Sequence, residues 1–223
     1  MEFVSRFANG VVHVRTKPRY NIAPSQSVSV LLLDKTGLTE KEMRWGWTTN
    51  WSKQLLTNAQ SETVKSKRTF VKAFEKRRCL VPADGFYEWQ TVLGKKQPVR
   101  FVLKSGAPFC FAGLWEACPK PPVDGVKPDS DFPDEPSASE LVESALILTT
   151  AANDIVVPVH GRMPVILQEQ HYDWWLDGGN LADMAMTHPR NGELEWYRVS
   201  PLVNNARTDD VKCIARLDQP RSG

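Results

Sequence analysis

Two short runs carry most of the side chains that could do chemistry together. The first is Pro82-Ala83-Asp84-Gly85-Phe86-Tyr87-Glu88-Trp89. Asp84-Gly85 makes a turn, and a strand begins after it. Alternation along that strand puts Phe86 and Glu88 on one face and Tyr87 and Trp89 on the other. A carboxylate among aromatics is partly desolvated, which raises its pKa toward a value useful for general acid or base work. The same glutamate could instead pair with an arginine at the rim of the core. The second run is Val159-His160-Gly161-Arg162-Met163-Pro164. His160 precedes a glycine that lets the backbone approach a ligand closely, and imidazole titrates near neutral pH. A hydrogen-bonded structural histidine is the alternative. Arg162 carries the fork that can hold a phosphate.

Further polar and basic segments surround these runs. Thr57 to Thr63 is polar between apolar stretches and offers amide and hydroxyl groups at a site rim, Asn58 among them. Between Lys65 and Arg78 lie seven basic residues, Arg68 included, opposed only by Glu75. They read as a surface that contacts phosphates, or as a solvated helix. Trp51 sits in the polar stretch Thr49-Asn50-Trp51-Ser52-Lys53, where an exposed indole beside a lysine is a platform for an unpaired base. Trp45, Trp115 and Trp174 are expected to bury. The four cysteines, Cys79, Cys110, Cys118 and Cys213, form no Cys-x-x-Cys pair and read as thiols. No Cys/His set has metal-ligand spacing, so neither a metal nor a cofactor is expected.

The elements that must position these residues are mostly short strands. Val28 to Leu33, Glu42 to Trp47, Arg78 to Val81, Gly85 to Trp89, Val99 to Leu103, Phe109 to Leu114, Ala145 to Thr150 and Trp196 to Val199 have strand character. Two helices are expected. One spans about Ser66 to Lys76, with Phe70 and Phe74 on one face. The other spans about Gln168 to Leu176 and stops at Gly178-Gly179. Helices do not alternate regularly with strands, which argues against a doubly wound sheet. The expected fold is α+β: a single domain over residues 1–223 with mixed, mostly antiparallel, barrel-like sheets and peripheral helices. Pro119 to Glu143 holds six of the sixteen prolines and seven acidic residues against two lysines, and reads as an extended, mobile insertion. A formal net charge of +2 says nothing by itself about partners. No run approaches eighteen apolar residues and no signal peptide is visible, so a cytoplasmic, nucleoid-associated or nuclear protein is expected, monomeric by default.

Taken in order, the segments resemble the SRAP family, the abasic-site processing proteins also called SOS response-associated peptidases. Tyr20-Asn21-Ile22-Ala23-Pro24 is similar to the family's Tyr-Asn-x-x-Pro, and Met43-Arg44-Trp45-Gly46 to its Arg-Trp-Gly strand. Asn58-Ala59 with Glu62-Thr63 resembles Asn-Ala-Arg-x-Glu-Thr. Arg77-Arg78-Cys79 with Pro82 to Trp89 resembles Arg-Arg-Cys and Ala-Asp-Gly-Phe-Tyr-Glu-Trp. His160 with Arg162 to Pro164 resembles His-x-Arg-Met-Pro, and Val199-Ser200 with Val203-Asn204-Asn205 the closing segment. The matches cover nearly the whole chain.

The resemblance implies a single-stranded DNA partner and a reaction. Family members use an N-terminal cysteine whose amine and thiol condense with the ring-opened aldehyde of an abasic site, giving a thiazolidine crosslink. An α-amine titrating near ~8 and a thiol near ~8.5 are both usable nucleophiles at neutral pH. By the same resemblance Glu88 and His160 move protons and Asn58 orients the sugar oxygens. Arg6 and Arg162 hold phosphates, and Trp51 and Pro24 lie against bases. This chain departs from the pattern at Phe3-Val4-Ser5-Arg6-Phe7, where Val4 stands at the family's cysteine, and at Gln60, where the family has arginine. Three readings follow. They are a natural start that carries the cysteine, a chain that binds DNA without crosslinking, and a terminal amine that forms a Schiff base and nicks the strand. A peptidase, which the older family name suggests, is a further alternative.

Overall fold

The computed structural model describes residues 2–7, 10–15, 17–50, 52–120, 141–187 and 192–217. In chain order its strands are β1 (Glu2–Phe7), β2 (Gly10–Arg15), β3 (Ser27–Asp34), β4 (Gly37–Trp45), β5 (Trp47–Thr49), β6 (Ser52–Leu56), β7 (Asn58–Gln60), β8 (Arg78–Ala83), β9 (Phe86–Val92), β10 (Lys95–Leu103), β11 (Phe109–Pro119), β12 (Leu141–Ala151), β13 (Arg162–Pro164), β14 (Ile166–Leu167) and β15 (Leu194–Arg198). The helices are α1 (Arg68–Lys76), α2 (Tyr172–Asp177) and α3 (Asn180–Thr187).

Five strands close into a barrel in the order β12-β4-β3-β8-β11 and back to β12. Every contact around the ring is antiparallel except β12 with β4, where Ser144 and Ala145 run parallel to Arg44 and Trp45. Closure removes the free edges that a sheet of this length would otherwise present. It also explains why Val30-Leu31-Leu32 is apolar without alternation: both faces of the strand are covered. Val28, Val30 and Leu32 join one apolar cluster with Val81, Phe111 and Ile147. Leu31 joins the other, with Leu80, Leu114 and Leu148 and the buried faces of the helices.

Phe70 and Phe74 of α1 are buried as their four-residue spacing requires. The expected second helix is divided, a 3-10 turn at Glu169–His171 leading into α2. The break after α2 has a packing cause. Gly178 has φ +90°, and a Cβ there would lie 1.7 Å from an Arg78 guanidinium nitrogen. Arg78 is buried and donates from Nε to the Trp175 carbonyl at 2.6 Å. It is a structural cation, not part of a basic surface.

A second sheet, β9-β10-β15, flanks the barrel and carries Glu88. Its β10 is central, with Val99 opposite Glu88 and Phe101 opposite Phe86. The hairpin β1-β2, the short β7 and α3 were not legible as elements. β7 is three residues long, and its strand character comes from pairing with β12. The segment from Pro119 to Glu143 is strand at both ends, with Pro119 opposite Leu141 and Ala117 opposite Glu143. The expected insertion is therefore shorter than proposed, and its middle lies outside the described residues. No helix among the described residues is long and apolar enough to cross a membrane.

Candidate active site

The barrel, the second sheet and the segment around residues 200–214 enclose a cavity of about 630 Å³. Glu88 reaches it from β9. Phe86, on the same face of that strand, stacks on Phe101 at 5.0 Å between ring centroids and meets Phe111 edge-on at 6.1 Å. That aromatic contact fixes the face and so aims Glu88. Its side chain is 22% exposed. Burial raises its carboxyl above the usual range, against the opposing pull of His160 and Lys96. The expected desolvation is present, with aromatics and a histidine as its neighbours.

His160 ends the loop after β12. Asn153 folds that loop by accepting the Ile155 and Val156 backbone N–H groups on its side chain, and His160 donates its own N–H to the Val156 carbonyl at 3.0 Å. Nδ1 of His160 lies 3.7 Å from Glu88 Oε1. The same nitrogen is 2.9 Å from the Arg162 carbonyl and 3.2 Å from the Arg162 N–H. A protonated Nδ1 can donate to the carbonyl, and a bare one can accept from the N–H. Nδ1 therefore has a backbone partner in either tautomer.

Arg162 makes a two-pronged ion pair with Glu62, Nη1 and Nη2 each donating at 2.8 Å, and Nη2 also donates to the Thr149 carbonyl at 2.7 Å. The guanidinium holds Glu62 down to about 2. Arg162 was expected to face a phosphate; in the structure its charge is matched within the protein. Asn58 is exposed on β7, opposite Ile147 of β12, and lines the cavity with Thr57 and Thr149. Pro24 lines it too. Glu88, His160, Asn58, Arg162 and Pro24 are thus gathered in one place.

Of the three other expected residues only one is described in full, and it is not gathered there. Arg68 is exposed on α1 and is not among the cavity residues. Around it the basic run is partly consumed by structure: Lys65 pairs with Asp183 and Arg77 with Glu116. Trp51 lies outside the described residues. Arg6 sits on β1 opposite Val11, and its side chain lies outside the described residues. Trp45, Trp115 and Trp174, expected to bury, are only half-buried, whereas Trp47 and Trp175 are the deep ones. Trp45 lines the cavity and donates to the Thr57 carbonyl at 3.1 Å.

Sequence reasoning missed the residues that build the opposite wall. Buried Asn21 donates from Nδ2 to the carbonyls of Val203 at 3.2 Å, Asn205 at 3.1 Å and Thr208 at 3.0 Å. Asp209 accepts from Arg19 and from the Tyr20 and Asn21 backbone. Arg100, 9% exposed, pairs with Asp84 at 2.8 Å and donates to the Tyr197 hydroxyl at 2.9 Å. The Tyr87 hydroxyl donates to the Tyr20 carbonyl at 2.5 Å, and burial pushes its pKa up. All four cysteines are free and buried. Burial lifts the Cys118 thiol to about 12 and pushes Cys79 and Cys110 up as well, so none of these three is a ready thiolate. Among the described residues no group of three or more His, Cys, Asp or Glu could hold a metal ion.

The family model for SOS response associated peptidase (SRAP) matches residues 2–206. The chain belongs to the SRAP family. Its relatives include the abasic site processing protein YoaM of Bacillus subtilis (strain 168), 32% identical over 208 residues, which span 89% of this chain and 85% of the relative. The abasic site processing protein HMCES of Mus musculus is 30% identical over 236 residues, covering 90% of this chain and 65% of the relative. A crystal structure of a protein from Bordetella bronchiseptica superimposes with a TM-score of 0.67 at 26% identity, covering 85% of this chain and 91% of that one. One from Bacteroides thetaiotaomicron, at 20% identity, shares the fold with a TM-score of 0.63 over 93% of this chain and 84% of that one.

Proposed function

We propose that this SRAP protein binds abasic sites in single-stranded DNA in the cavity beside β9 and processes them there. The observation that carries the reading is the pair Glu88–His160, 3.7 Å apart on the wall of a cavity that also holds Asn58. Membership of a family whose relatives are named abasic site processing proteins supplies the substrate class.

The chemistry follows from the two groups. An abasic sugar is a closed hemiacetal in equilibrium with an open aldehyde. Opening requires a proton to leave the anomeric hydroxyl and another to reach the ring oxygen. A carboxyl raised by burial stays protonated to higher pH than an ordinary one and can deliver the proton to the ring oxygen, while the imidazole beside it accepts the one that leaves the anomeric hydroxyl. Asn58 offers an amide to the sugar oxygens. Capture of the aldehyde then requires an amine or a thiol. Cys79, Cys110, Cys118 and Cys213 are buried away from such a task. That burial favours a second reading, a binder of abasic single strands that does not crosslink.

Incubation with a single-stranded oligonucleotide carrying one abasic site, followed by a denaturing gel, separates the two. A shifted covalent band or a nicked strand is expected, and Glu88→Gln should suppress it while leaving affinity within about twofold of the parent. Non-covalent binding alone would overturn processing in favour of the binder. Restoring Met-Cys-Gly ahead of Arg6 should then confer crosslinking if Glu88, His160 and Asn58 are competent.

A further inference from the structure

We infer, on the basis of the proposed function, that the cavity has a second compartment behind the free edge of β9, and that it takes a nucleobase from the strand flanking the abasic sugar. Its polar contact is Asn204, held in one orientation by Trp89.

Three observations carry it. The first is how the cavity meets β9. Side chains of a strand alternate between its two faces, yet Phe86, Tyr87, Glu88 and Trp89 all line the same cavity. β9 ends the order β15-β10-β9, so among the described residues its outer edge has no neighbouring strand, and the cavity passes around that edge. The two faces also belong to different walls. Phe86 packs into an apolar cluster of the barrel, whereas Tyr87 and Trp89 pack with Tyr20 against Val203 and Cys213 of the closing segment. Glu88 therefore works in front of the edge, and Tyr20, Tyr87, Trp89 and Asn204 line the space behind it. Glu88 and Trp89 are consecutive, with Cα atoms ~3.8 Å apart, so the two compartments are near enough for adjacent nucleotides of one strand.

The second observation is volume. A baseless sugar fills a small part of about 630 Å³. That size suits a larger, partly apolar ligand.

The third is the chemistry behind the edge. Three aromatic side chains supply flat apolar surface, which any base can meet with its own face. The Tyr87 hydroxyl is committed to the Tyr20 carbonyl. Asn204 keeps its donors. The indole Nε1 of Trp89 can only donate, so the atom it meets at 2.7 Å is the amide oxygen of Asn204. That bond fixes which way round the amide sits and turns its two N–H groups away from Trp89. Among the described residues nothing accepts from them. Oriented neutral donors beside aromatic rings fit the carbonyl and ring-nitrogen acceptors of a base edge. A phosphate is the poorer fit behind β9, because Arg19 and Arg100 are already matched there by Asp209 and Asp84.

The test uses single-stranded oligonucleotides with one abasic site, in which the base on its 5′ or its 3′ side is present or replaced by a baseless spacer. Loss of the base that enters the compartment should weaken binding on the order of tenfold, the scale of one stacked base. Asn204→Asp keeps the oxygen that Trp89 needs and removes the donors. It should shrink the loss on that side alone to about threefold, with the unfolding midpoint of the parent. Its added negative charge weakens both oligonucleotides alike and cancels in the ratio. A parent indifferent to both flanking bases would overturn the compartment, and so would an Asn204→Asp variant whose losses match those of the parent on both sides. If the parent does not bind the abasic strand, the proposed function fails instead. Thymidine 5′-monophosphate then decides the compartment alone: it must shift the Trp89 indole N–H signal in the NMR spectrum, and deoxyribose 5-phosphate must not. An unmoved signal overturns the compartment.

Discussion

At the scale of single residues, the site is stabilised and strained by two glutamates of opposite character. Glu62 is held at about 2 by Arg162, below its ordinary 4.5, so its ionised form favours the folded state. That contribution is present above pH 4.5 and fades as the pH falls toward 2. Glu88 runs the other way. Its carboxyl is raised by burial, so the ionised form costs stability, fully so above its folded-state pKa and not at all below the unfolded value. Glu88→Gln is therefore expected to raise the melting temperature at pH 7, and the gain should shrink as the pH drops toward 4. A variant that melts lower at pH 7 would mean that the contact with His160 outweighs the burial. Glu88 and His160 were legible because their neighbours in sequence are their neighbours in space: Phe86 for one, Gly161 and Arg162 for the other. Glu62, Asn21 and Arg100 were not. Their roles depend on partners 100, 182 and 97 positions away, which no local pattern announces.

At the scale of elements, the turn from β8 into β9 decides where Glu88 points. Gly85 sits where a Cβ would lie 2.7 Å from the Phe101 carbonyl oxygen and 2.8 Å from Arg100 Nε. Backbone cannot retreat as a flexible side chain can. Gly85→Ala should cost roughly 1–3 kcal/mol of stability, the range for forcing an extra carbon into a filled space. Urea unfolding would measure it, and Glu88 should lose its alignment in the same variant. The strands were legible from apolar runs bounded by turn residues, and α1 from its two phenylalanines. Three features misled or were silent. The β1-β2 hairpin has no apolar run of note. α3 follows the Gly178-Gly179 break and is only eight residues long. Arg78 looked like surface charge because nothing local reveals that Gly178 leaves room for its guanidinium.

At the scale of the whole molecule, the barrel supplies rigidity and the tail of the described chain supplies the last wall. Asn21 is the bolt between them. Asn21→Ala would leave the carbonyls of Val203, Asn205 and Thr208 without their shared donor, at a cost of roughly 1–3 kcal/mol. Limited proteolysis should then cut between residues 200 and 217 first, before the barrel opens; unchanged cleavage would assign the holding role to Asp209 alone. The order of synthesis gives that clasp a further meaning. Domains form as the chain emerges, beginning at the N-terminal side. The five staves are complete once Ala151 has emerged, yet the cavity is not walled until Asp209 has reached Arg19, 190 positions behind it. A nascent chain stalled after His160 and before Asp209 would carry Glu88 and His160 on an open face. The cavity is therefore walled only after the segment around residue 209 has left the ribosome, long after the barrel that carries part of its lining.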